Sequence, residues 1–542
     1  MKKVFDAISN NVMTAMLRSE PIRATAMGEH AFDGQLPDYT AAGRESLALK
    51  LGDYLTDLDA VDDLELTIED QVDLEILRSA ITRALFELRE VKSVTWNPMV
   101  WNPGNGLHSL LSREFAPMIE RLESARSRLA KIPGFLQDAK SELGNMPKIH
   151  VETAIGQFQG TLHLVQGTLA EHLGENSPEI RAAKTAITAF IDWLTEQLPA
   201  ATRDPRLGTH LYSALLWHAL DDDTQASELL AQANTHLIQT EQALIEAASA
   251  YLGEPFDADA LVTRALDDVA SKFPVTNADV LTQVSDSLAR TISFLEKVPL
   301  VSMPVTDVEV IEMPEIHRGV AVAYCDSPGP LETMELPTFV AVSPTPQDWD
   351  IARIESFYRE YNGVQLHDLT IHEAFPGHVL QLAHSRVAEK ATKVRAFGRS
   401  SVFIEGWAVY AEELMINSGF LPTDDEKSAL GLRLQQLKMQ ARMTINAILD
   451  VRVHTDTIDE HEALDLMMRR GFQEEGEAVG KWRRALLTAG QLPTYFVGYL
   501  AVREIAADLR ILHPEWTDSE VHDLMLKFGS PAPRHLRALL GL

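Results

Sequence analysis

The sequence predicts a mainly α-helical protein, with two helical lobes around a deep cleft and a small β-sheet before the helix that carries the candidate metal ligands. Apolar residues recur every three and four positions between residues 41 and 91, which is the periodicity of a helix buried on one face. The chain of 542 residues is longer than a single hydrophobic core usually supports. We therefore expect an N-terminal helical lobe over residues 1–300 and a second, catalytic lobe over residues 301–542.

Helices account for most of the first 300 residues. Residues 1–20 have an amphipathic pattern, and a polar connection rich in Gly, Asp and Pro follows as far as Tyr39. The stretch WNPMVWNPGNG at 96–106 has two Asn-Pro turn signals and is predicted to be a loop. Prolines separate the helices that follow, among which 237–252 and 279–298 are clear examples.

The pattern changes at Pro299. Short segments rich in β-branched residues predict three strands, at 308–313, 319–325 and 336–343. Two uses fit such a sheet: its edge pairs with an extended peptide, or it braces the helix that follows. Helical patterns return after Ile351, with examples at 431–454, 461–478 and 494–512.

Composition excludes several classes of protein. The formal net charge of −31 argues against nucleic-acid binding, which requires clustered Lys and Arg. The single cysteine, Cys325, cannot form an internal disulfide and suits a reducing compartment. The start, MKKVFDAISNNVM, lacks the apolar segment of a secretion signal, and no run of 18 apolar residues occurs. These features predict a cytoplasmic protein with no nucleic-acid or membrane partner; they do not indicate an oligomeric state.

The segment from Leu366 to Glu413 holds the residues that point to chemistry. Its first block, LHDLTIHEAFPGHVLQLAHS, contains His372, Glu373 and His378, and its second block, SVFIEGWAVYAEE, contains Glu405. Two imidazoles, one carboxylate ligand and one further carboxylate are the components of a catalytic zinc site. We therefore predict Zn²⁺ as the cofactor, with His372, His378 and Glu405 as its ligands.

The spacing of the two histidines requires a break in their helix. His372 and His378 are six residues apart, whereas the usual zinc signature H-E-x-x-H has its histidines four apart on one helical face. Six steps of about 100° on a straight helix would place them about 120° apart. Pro376 removes a helical hydrogen bond, and Gly377 tolerates unusual dihedrals. We therefore expect a break or bulge between Ala374 and Gly377.

Several segments together resemble one family. HEAFPGH followed by EGWAVYAEE is similar to the motifs of a large, mostly bacterial family catalogued as domain of unknown function 885. The likeness extends to PIRATAMGEHAFDGQLPD near the N terminus, to REYNGVQLHDLTIHEAFPGH, to the segment from Asp450 to His454 and to QLPTYFVGYLAVREI, so it covers most of the chain. Members are grouped by resemblance with zinc metallopeptidases of the gluzincin type, which implies a zinc enzyme that hydrolyses peptides.

The candidate site residues suggest their own roles. Glu373 is the predicted general base, since it directly follows a ligand and is placed to accept a proton from the attacking water. Glu405 and Glu412 are seven residues apart and therefore share a helical face. We expect Glu412 or Tyr410 to support the ligands rather than to bind the metal.

Two further candidates lie outside the paired blocks. Tyr495 is predicted to donate a hydrogen bond to the oxyanion of the intermediate, and the family resemblance points to the same residue. His454, four residues after Asp450, is predicted to contact substrate; for both candidates, packing in the core is the alternative. The sequence departs from the family near His454, with Arg452 where glycine is expected and Ala489 where members have proline, which weakens the assignment of specificity there.

The leading interpretation is a zinc metallopeptidase that cleaves oligopeptides. A zinc-dependent hydrolase of non-peptide amides would use the same ligands, and an inactive zinc-binding scaffold would keep the same fold. A di-iron carboxylate protein requires Glu-x-x-His pairs, and none of the 18 histidines has a glutamate three residues before it. That class is excluded.

Overall fold

The computed structural model describes residues 1–313, 322–346 and 349–542, and it is mainly helical with a small three-stranded sheet. The predicted fold class is confirmed in this respect. The chain divides into two compact units, of which the first comprises Met1–Pro205, Pro328–Leu336 and Thr392–Gly398. The second comprises Arg206–Ser327, Pro337–Ala391 and Arg399–Leu542. The cleft between two lobes stays a prediction.

The first unit is helical in its described residues. Its helices are α1 (Lys2–Ser19), α2 (Pro21–Met27), α3 (Ala41–Asp59), α4 (Ile68–Phe86), α5 (Gly104–Ser112), α6 (Met118–Glu142), α7 (Lys148–Leu164), α8 (Ala170–Leu173), α9 (Pro178–Gln197) and, much later in the chain, α17 (Lys393–Phe397). A hydrophobic core built around Trp101, Phe158 and Phe190 holds this unit together. Trp101 is therefore a packing residue, which agrees with the periodic apolar pattern of the helices around it.

The second unit contains all the predicted site residues. Its helices are α10 (Thr209–Leu220), α11 (Ala226–Leu252), α12 (Leu261–Lys272), α13 (Val280–Lys297), α14 (Ile351–Glu360), α15 (Gly363–Glu373), α16 (His378–Val387), α18 (Ser401–Asn417), α19 (Glu426–His454), α20 (Glu460–Arg469), α21 (Glu475–Leu487), α22 (Pro493–Leu512), α23 (Asp518–Leu526) and α24 (Pro533–Leu540). Helix α19 is buried along most of its length and forms the centre of this unit.

The boundary between the units falls at Pro205, whereas the sequence pattern placed it near residue 300. The four helices from α10 to α13 belong to the second unit because their apolar faces lie in its core. Leu237 and Leu244 of α11 share a buried cluster with Ile445 and Ile448 of α19. The change of sequence pattern at Pro299 marks the transition from helices to strands, and it does not mark the edge of a hydrophobic core.

The three predicted strands form one sheet in the order β1-β3-β2, where β1 is Val308–Glu312, β2 is Ala323–Asp326 and β3 is Thr338–Val342. Strands β1 and β3 are parallel, and β2 is antiparallel to β3 with Cys325 opposite Val340. Residues 319–321 of the predicted second strand lie outside the described residues. The inward residues of β3, from Val340 to Val342, are fully buried, so the sheet is part of the core.

Helices α18 and α22 approach each other closely at two glycines. A Cβ atom on Gly406 would lie 2.2 Å from the carbonyl carbon of Gly498. A Cβ atom on Gly498 would lie 2.0 Å from the carbonyl oxygen of Val402. Only glycine permits this approach, and it brings the helix of Glu405 against the helix of Tyr495.

We expect Gly406→Ala to destabilise the protein, because the added methyl group meets backbone that cannot move aside. Overpacking of this kind costs about 1–3 kcal/mol or more, and it should appear as a lower Tm in a thermal melt followed by circular dichroism. Gly480→Ala is the matched control, since a Cβ on Gly480 of α21 has nothing within 4 Å. The control should melt at the same temperature or higher, because alanine favours helix by about 1 kcal/mol over glycine. Equal melting of Gly406→Ala and wild type would contradict the close approach.

Candidate metal centre

The helix that carries His372 breaks before His378, as the spacing predicts. Helix α15 ends at Glu373 and α16 begins at His378. Between them the N–H of Gly377 donates to the carbonyl of Ile371 at 3.0 Å, six residues back instead of the four of a regular helix. A Cβ on Gly377 would lie 2.0 Å from the carbonyl oxygen of His372, so this turn requires glycine. The break places both histidines on the same side.

A residue of the second motif block stabilises the break. The indole Nε1 of Trp407 donates to the carbonyl of Pro376 at 2.8 Å, and Trp407 is fully buried. The rings of His372 and His378 lie with their centroids 4.7 Å apart and almost perpendicular, at 84°. The hydrogen bond between Trp407 and Pro376 therefore connects the two motif blocks directly.

The three predicted ligands come together. The Nε2 atoms of His372 and His378 lie 3.7 Å and 3.5 Å from Oε2 of Glu405. One donor atom from each residue lies within 4.8 Å of the other two. A tetrahedral zinc ion with ligands at about 2.0–2.1 Å would separate their donor atoms by about 3.4 Å. The donor set and its dimensions therefore fit zinc.

A fourth side chain orients one of the ligands. Oε1 of Glu412 lies 2.6 Å from Nδ1 of His372, which leaves Nε2 of that ring directed toward Glu405. Metal-binding histidines commonly donate their second N–H to a carboxylate in this way. The hydroxyl of Tyr410 instead lies 2.9 Å from Nε2 of His522. Of the two residues proposed to support the ligands, the structure places Glu412 there.

The charges of the cluster compensate one another. Burial alone would raise the pKa of Glu405, but its interactions with His372 and His378 hold that pKa well below its usual range. Burial alone would lower the pKa of His372, but Glu405 and Glu412 raise it well above the usual value. Burial, and next the charge of Glu412, raises the pKa of Asp368 well above that of an ordinary carboxyl.

Glu373 lies beside the cluster without joining the ligand set. Its Oε2 accepts a hydrogen bond of 2.9 Å from the backbone N–H of Cys325 in strand β2. Burial raises the pKa of Glu373, and the charges of His378 and His372 oppose that rise. The sheet thus braces the candidate base, which supports one of its two predicted uses; strand addition by a peptide stays untested.

The two predicted residues outside the motif blocks have different surroundings. Burial raises the pKa of the Tyr495 phenol, and the nearby charge of Glu405 raises that pKa further. His454 is fully buried, and its Nε2 lies 3.1 Å and 2.8 Å from the carbonyl oxygens of Ala485 and Thr488. Its Nδ1 accepts a weak hydrogen bond of 3.4 Å from the N–H of Leu207. The structure therefore gives His454 a packing role and does not support the predicted contact with substrate.

Sequence reasoning missed the partners that hold the site in place. Trp407 and the N–H of Cys325 are examples, because neither a backbone N–H nor a buried indole has a chemical signature of its own. It also missed two basic residues of α21, Lys481 and Arg484, of which Arg484 contacts Tyr495. The apolar neighbours of Trp407 in the EGWAVY block are the one signal that indicated a buried tryptophan.

We expect Glu412→Gln to weaken zinc binding by about 10–100-fold, the usual effect of removing a carboxylate that supports a histidine ligand. The amide keeps the size of the side chain but removes the charge that orients Nδ1 of His372. Competition with a zinc-binding dye measures the affinity. Glu413→Gln is the matched control, because Glu413 accepts a hydrogen bond from Tyr499 and belongs to another network. Equal zinc affinities of both variants would contradict the role of Glu412.

A family model described as a bacterial protein of unknown function, DUF885, matches residues 21–540. The chain belongs to the DUF885 family. The membership that the HEAFPGH and EGWAVYAEE blocks predict is thereby confirmed. A comparison of this DUF885 chain with curated proteins found no match.

Solved structures with the same fold extend over the whole DUF885 chain. One is the structure of a "putative lipoprotein of unknown function" from Shewanella oneidensis, with 25% identity, a TM-score of 0.83, and coverage of 99% of this chain and 100% of that one. Another is a "putative lipoprotein" from Colwellia psychrerythraea, with 14% identity, a TM-score of 0.80, and coverage of 100% and 99%. Metallocarboxypeptidase 1 of Trypanosoma cruzi aligns with a TM-score of 0.39 at 11% identity, over 100% of this chain and 96% of that one.

These relatives overturn one prediction. Lipoproteins are membrane-anchored or secreted, so the prediction of a cytoplasmic protein is wrong. The prediction failed because a single cysteine and an acidic surface are compatible with several compartments and do not specify one. In the part of the DUF885 chain that the structure describes, no helix has the length and apolar character to cross a membrane.

Proposed function

We propose that this DUF885 protein is a zinc-dependent hydrolase that cleaves peptide bonds. The observation that carries the proposal is the juxtaposition of three zinc-type donors, on His372, His378 and Glu405, with one half-buried carboxylate, on Glu373, that is not among them. Zinc held by these donors supplies Lewis-acid chemistry, which polarises a carbonyl group and makes water more acidic. The remaining chemistry belongs to the side chains around it.

The ligands and their supports have distinct tasks. His372, His378 and Glu405 would hold the ion, and Glu412 keeps the His372 ring in the orientation that directs Nε2 toward Glu405. Zinc would take both imidazoles in the neutral form and Glu405 as a carboxylate, because ligands bind in their deprotonated forms. The set would then provide one negative charge and two neutral nitrogens, which are the ligand types of a catalytic rather than a purely structural zinc site.

Glu373 is the group that moves the proton. One of its oxygens is held by the N–H of Cys325, and the other is available to accept a proton from the attacking water and to return it to the leaving amine. A general base works best when its pKa approaches the working pH, and burial raises the pKa of Glu373 in that direction.

Tyr495 is the proposed donor to the oxyanion. Its phenolic oxygen lies 3.5 Å from Nη2 of Arg484 and 3.5 Å from Nε2 of Gln491, and both of these groups can only donate. The hydroxyl hydrogen of Tyr495 is therefore not required by either neighbour. Burial, supported by the charge of Glu405, raises the pKa of the phenol, so Tyr495 remains a neutral donor at neutral pH.

We expect the purified protein to contain about one zinc per chain and to cleave peptides. Removing the metal with a chelator should abolish cleavage, and stoichiometric zinc should restore it, because the ligand cluster is the source of the Lewis acid. Mass spectrometry of a digested peptide library measures cleavage, and a parallel panel of N-acyl amides tests the hydrolysis of non-peptide amides. Cleavage that persists in zinc-free protein would contradict the proposal; hydrolysis of the acyl amides alone would assign the site to the other substrate class.

A further inference from the structure

One face of helix α21 carries charge that the proposed mechanism does not use. Glu477, Lys481 and Arg484 recur at intervals of four and three residues, so they share one side of the helix. The carboxylate of Glu477 is already engaged, since its Oε2 lies 3.1 Å from the hydroxyl of Tyr361 and 3.3 Å from Nη2 of Arg442.

The buried ion pairs behind this face are complete. Glu360 is fully buried and accepts hydrogen bonds of 2.9 Å from Lys438 and 2.7 Å from Arg442. Two cations, Lys438 and Arg442, are thus matched by two carboxylates, those of Glu360 and Glu477. Glu477 is the carboxylate of this network that also acts on the charge of Lys481, and it is already shared with Arg442.

Lys481 and Arg484 are the two cations without such a match. Lys481 is partly buried, and its ammonium group has no hydrogen-bond or ion-pair partner among the described residues. The side chain of Arg484 contacts two neutral groups, Oε1 of Gln491 at 2.7 Å and the phenolic oxygen of Tyr495 at 3.5 Å. A shielded cation without a counter-charge is costly, and it is unexpected in a chain whose net charge is −31.

The electrostatics agree with this geometry. Burial and, after it, the charges of Arg484 and Arg442 together lower the pKa of Lys481 to about 7, against the opposing effect of Glu477. Asp450 does not provide a free counter-charge, because it is fully buried, burial raises its pKa, and its carboxylate accepts hydrogen bonds from Tyr212 and the N–H of Gly490. A ligand that brings a negative charge to Lys481 would therefore be stabilised there.

The two cations lie next to the candidate metal centre. Tyr495 connects them, because its oxygen lies 3.5 Å from Arg484 and its helix α22 meets α18, the helix of Glu405, where Gly498 contacts Gly406. A substrate bound at the metal would thus extend toward Lys481 and Arg484 past the proposed oxyanion donor.

We propose that Lys481 and Arg484 form an anion subsite that binds a carboxylate of the peptide substrate close to the bond that is cleaved. This inference rests on the proposed function, since it assigns the substrate class of the same site. The carboxylate belongs either to the C terminus of the peptide or to an acidic side chain. Both sources use the same chemistry, a charge-assisted pair of donors around one carboxylate.

Binding tests the subsite without catalysis. Three peptides are titrated by calorimetry into the full chain after treatment with a chelator, so that neither turnover nor a metal–carboxylate bond contributes: acetyl-trialanine acid, acetyl-trialanine amide, and acetyl-Ala-Asp-Ala amide. We expect at least tenfold tighter binding of one carboxylate peptide than of trialanine amide. Preference for the acid identifies a C-terminal carboxylate, and preference for the Asp peptide identifies a side chain.

The variants assign this preference to the two cations. Lys481→Met should reduce it by about 10–100-fold, the usual range for a lost charge-assisted hydrogen bond. Arg484→Gln should reduce it similarly and decides the matter if Lys481→Met does not fold. Arg483→Met is the matched control, because Arg483 is exposed on the same helix, and it should keep the wild-type preference.

The outcomes separate the two proposals. Equal binding of all three peptides by the wild type, or a preference that survives both variants, overturns the subsite. Zinc-loaded wild-type protein is then assayed for hydrolysis of the same peptides. A carboxylate preference without hydrolysis refutes the proposed function and leaves the subsite standing, whereas hydrolysis without a preference refutes the subsite alone.

Discussion

Glu373→Gln should lower peptide hydrolysis by about 10²–10⁴-fold, the usual contribution of a positioned general base, while zinc content and Tm stay at the wild-type values. The amide keeps the size of the side chain and can still accept the hydrogen bond from the N–H of Cys325, but it cannot take a proton. Turnover of a fluorogenic peptide and zinc analysis of the same samples measure both effects. Glu389→Gln is the control, because Glu389 forms an exposed ion pair with Lys527.

The pH dependence of kcat/KM provides a second test of Glu373, because the direction of the change can be predicted. The base must be deprotonated to act, so kcat/KM should fall as the pH drops through the pKa of Glu373. Because burial raises that pKa, the acidic limb should lie above the value of an ordinary glutamate. In Glu373→Gln this limb should disappear from the residual activity. Wild-type turnover in the variant would exclude Glu373 as the base.

Tyr495→Phe provides the comparison that separates proton transfer from oxyanion stabilisation. It should also retain zinc, but lose about 10²–10³-fold in kcat, as is typical when one oxyanion donor is removed. Its acidic limb should remain, because Glu373 is intact. A profile that loses the limb in both variants would show that Tyr495 acts through the base and not on the oxyanion.

His378→Ala should reduce the zinc content from about one per chain to near zero and lower hydrolysis to background, because only two of three protein ligands remain. Inductively coupled plasma mass spectrometry measures the metal.

His384→Ala is the matched control for this change. His384 lies on the same helix, and its Nε2 contacts the carbonyl oxygen of Ser302 at 2.6 Å. It is not one of the three residues of the ligand cluster. The control should retain zinc and turnover. Full zinc occupancy in His378→Ala would overturn the assignment of the ligands, whichever result the control gives.

Local features of the chain were predictable from the sequence because their causes are local. The types of His372, Glu373 and His378 and their spacing over seven residues indicate the ligand set and require a break in the helix. That break is present, and it is held by the six-residue hydrogen bond of Gly377. Helical periodicity and β-branched runs likewise predicted the helices and the three strands, since each pattern reflects the geometry of its own segment.

Features that join distant segments were decided only by the tertiary structure. Tyr410 and Glu412 are equally plausible supports two residues apart on one helix, and only the packing of α15 against α18 brings Glu412 to His372. Packing between distant segments also decides the role of His454, which the sequence predicts to contact substrate. Its partners come from the C-terminal end of α21 and from the segment before α10, so it packs in the core. The helices from α10 to α13 belong to the second unit because α10 packs against α22 and the apolar faces of α11, α12 and α13 pack against α15 and α19. Sequence by itself determined which chemical groups are present and how each segment folds; the close packing of helices far apart in the chain decided which of those groups meet.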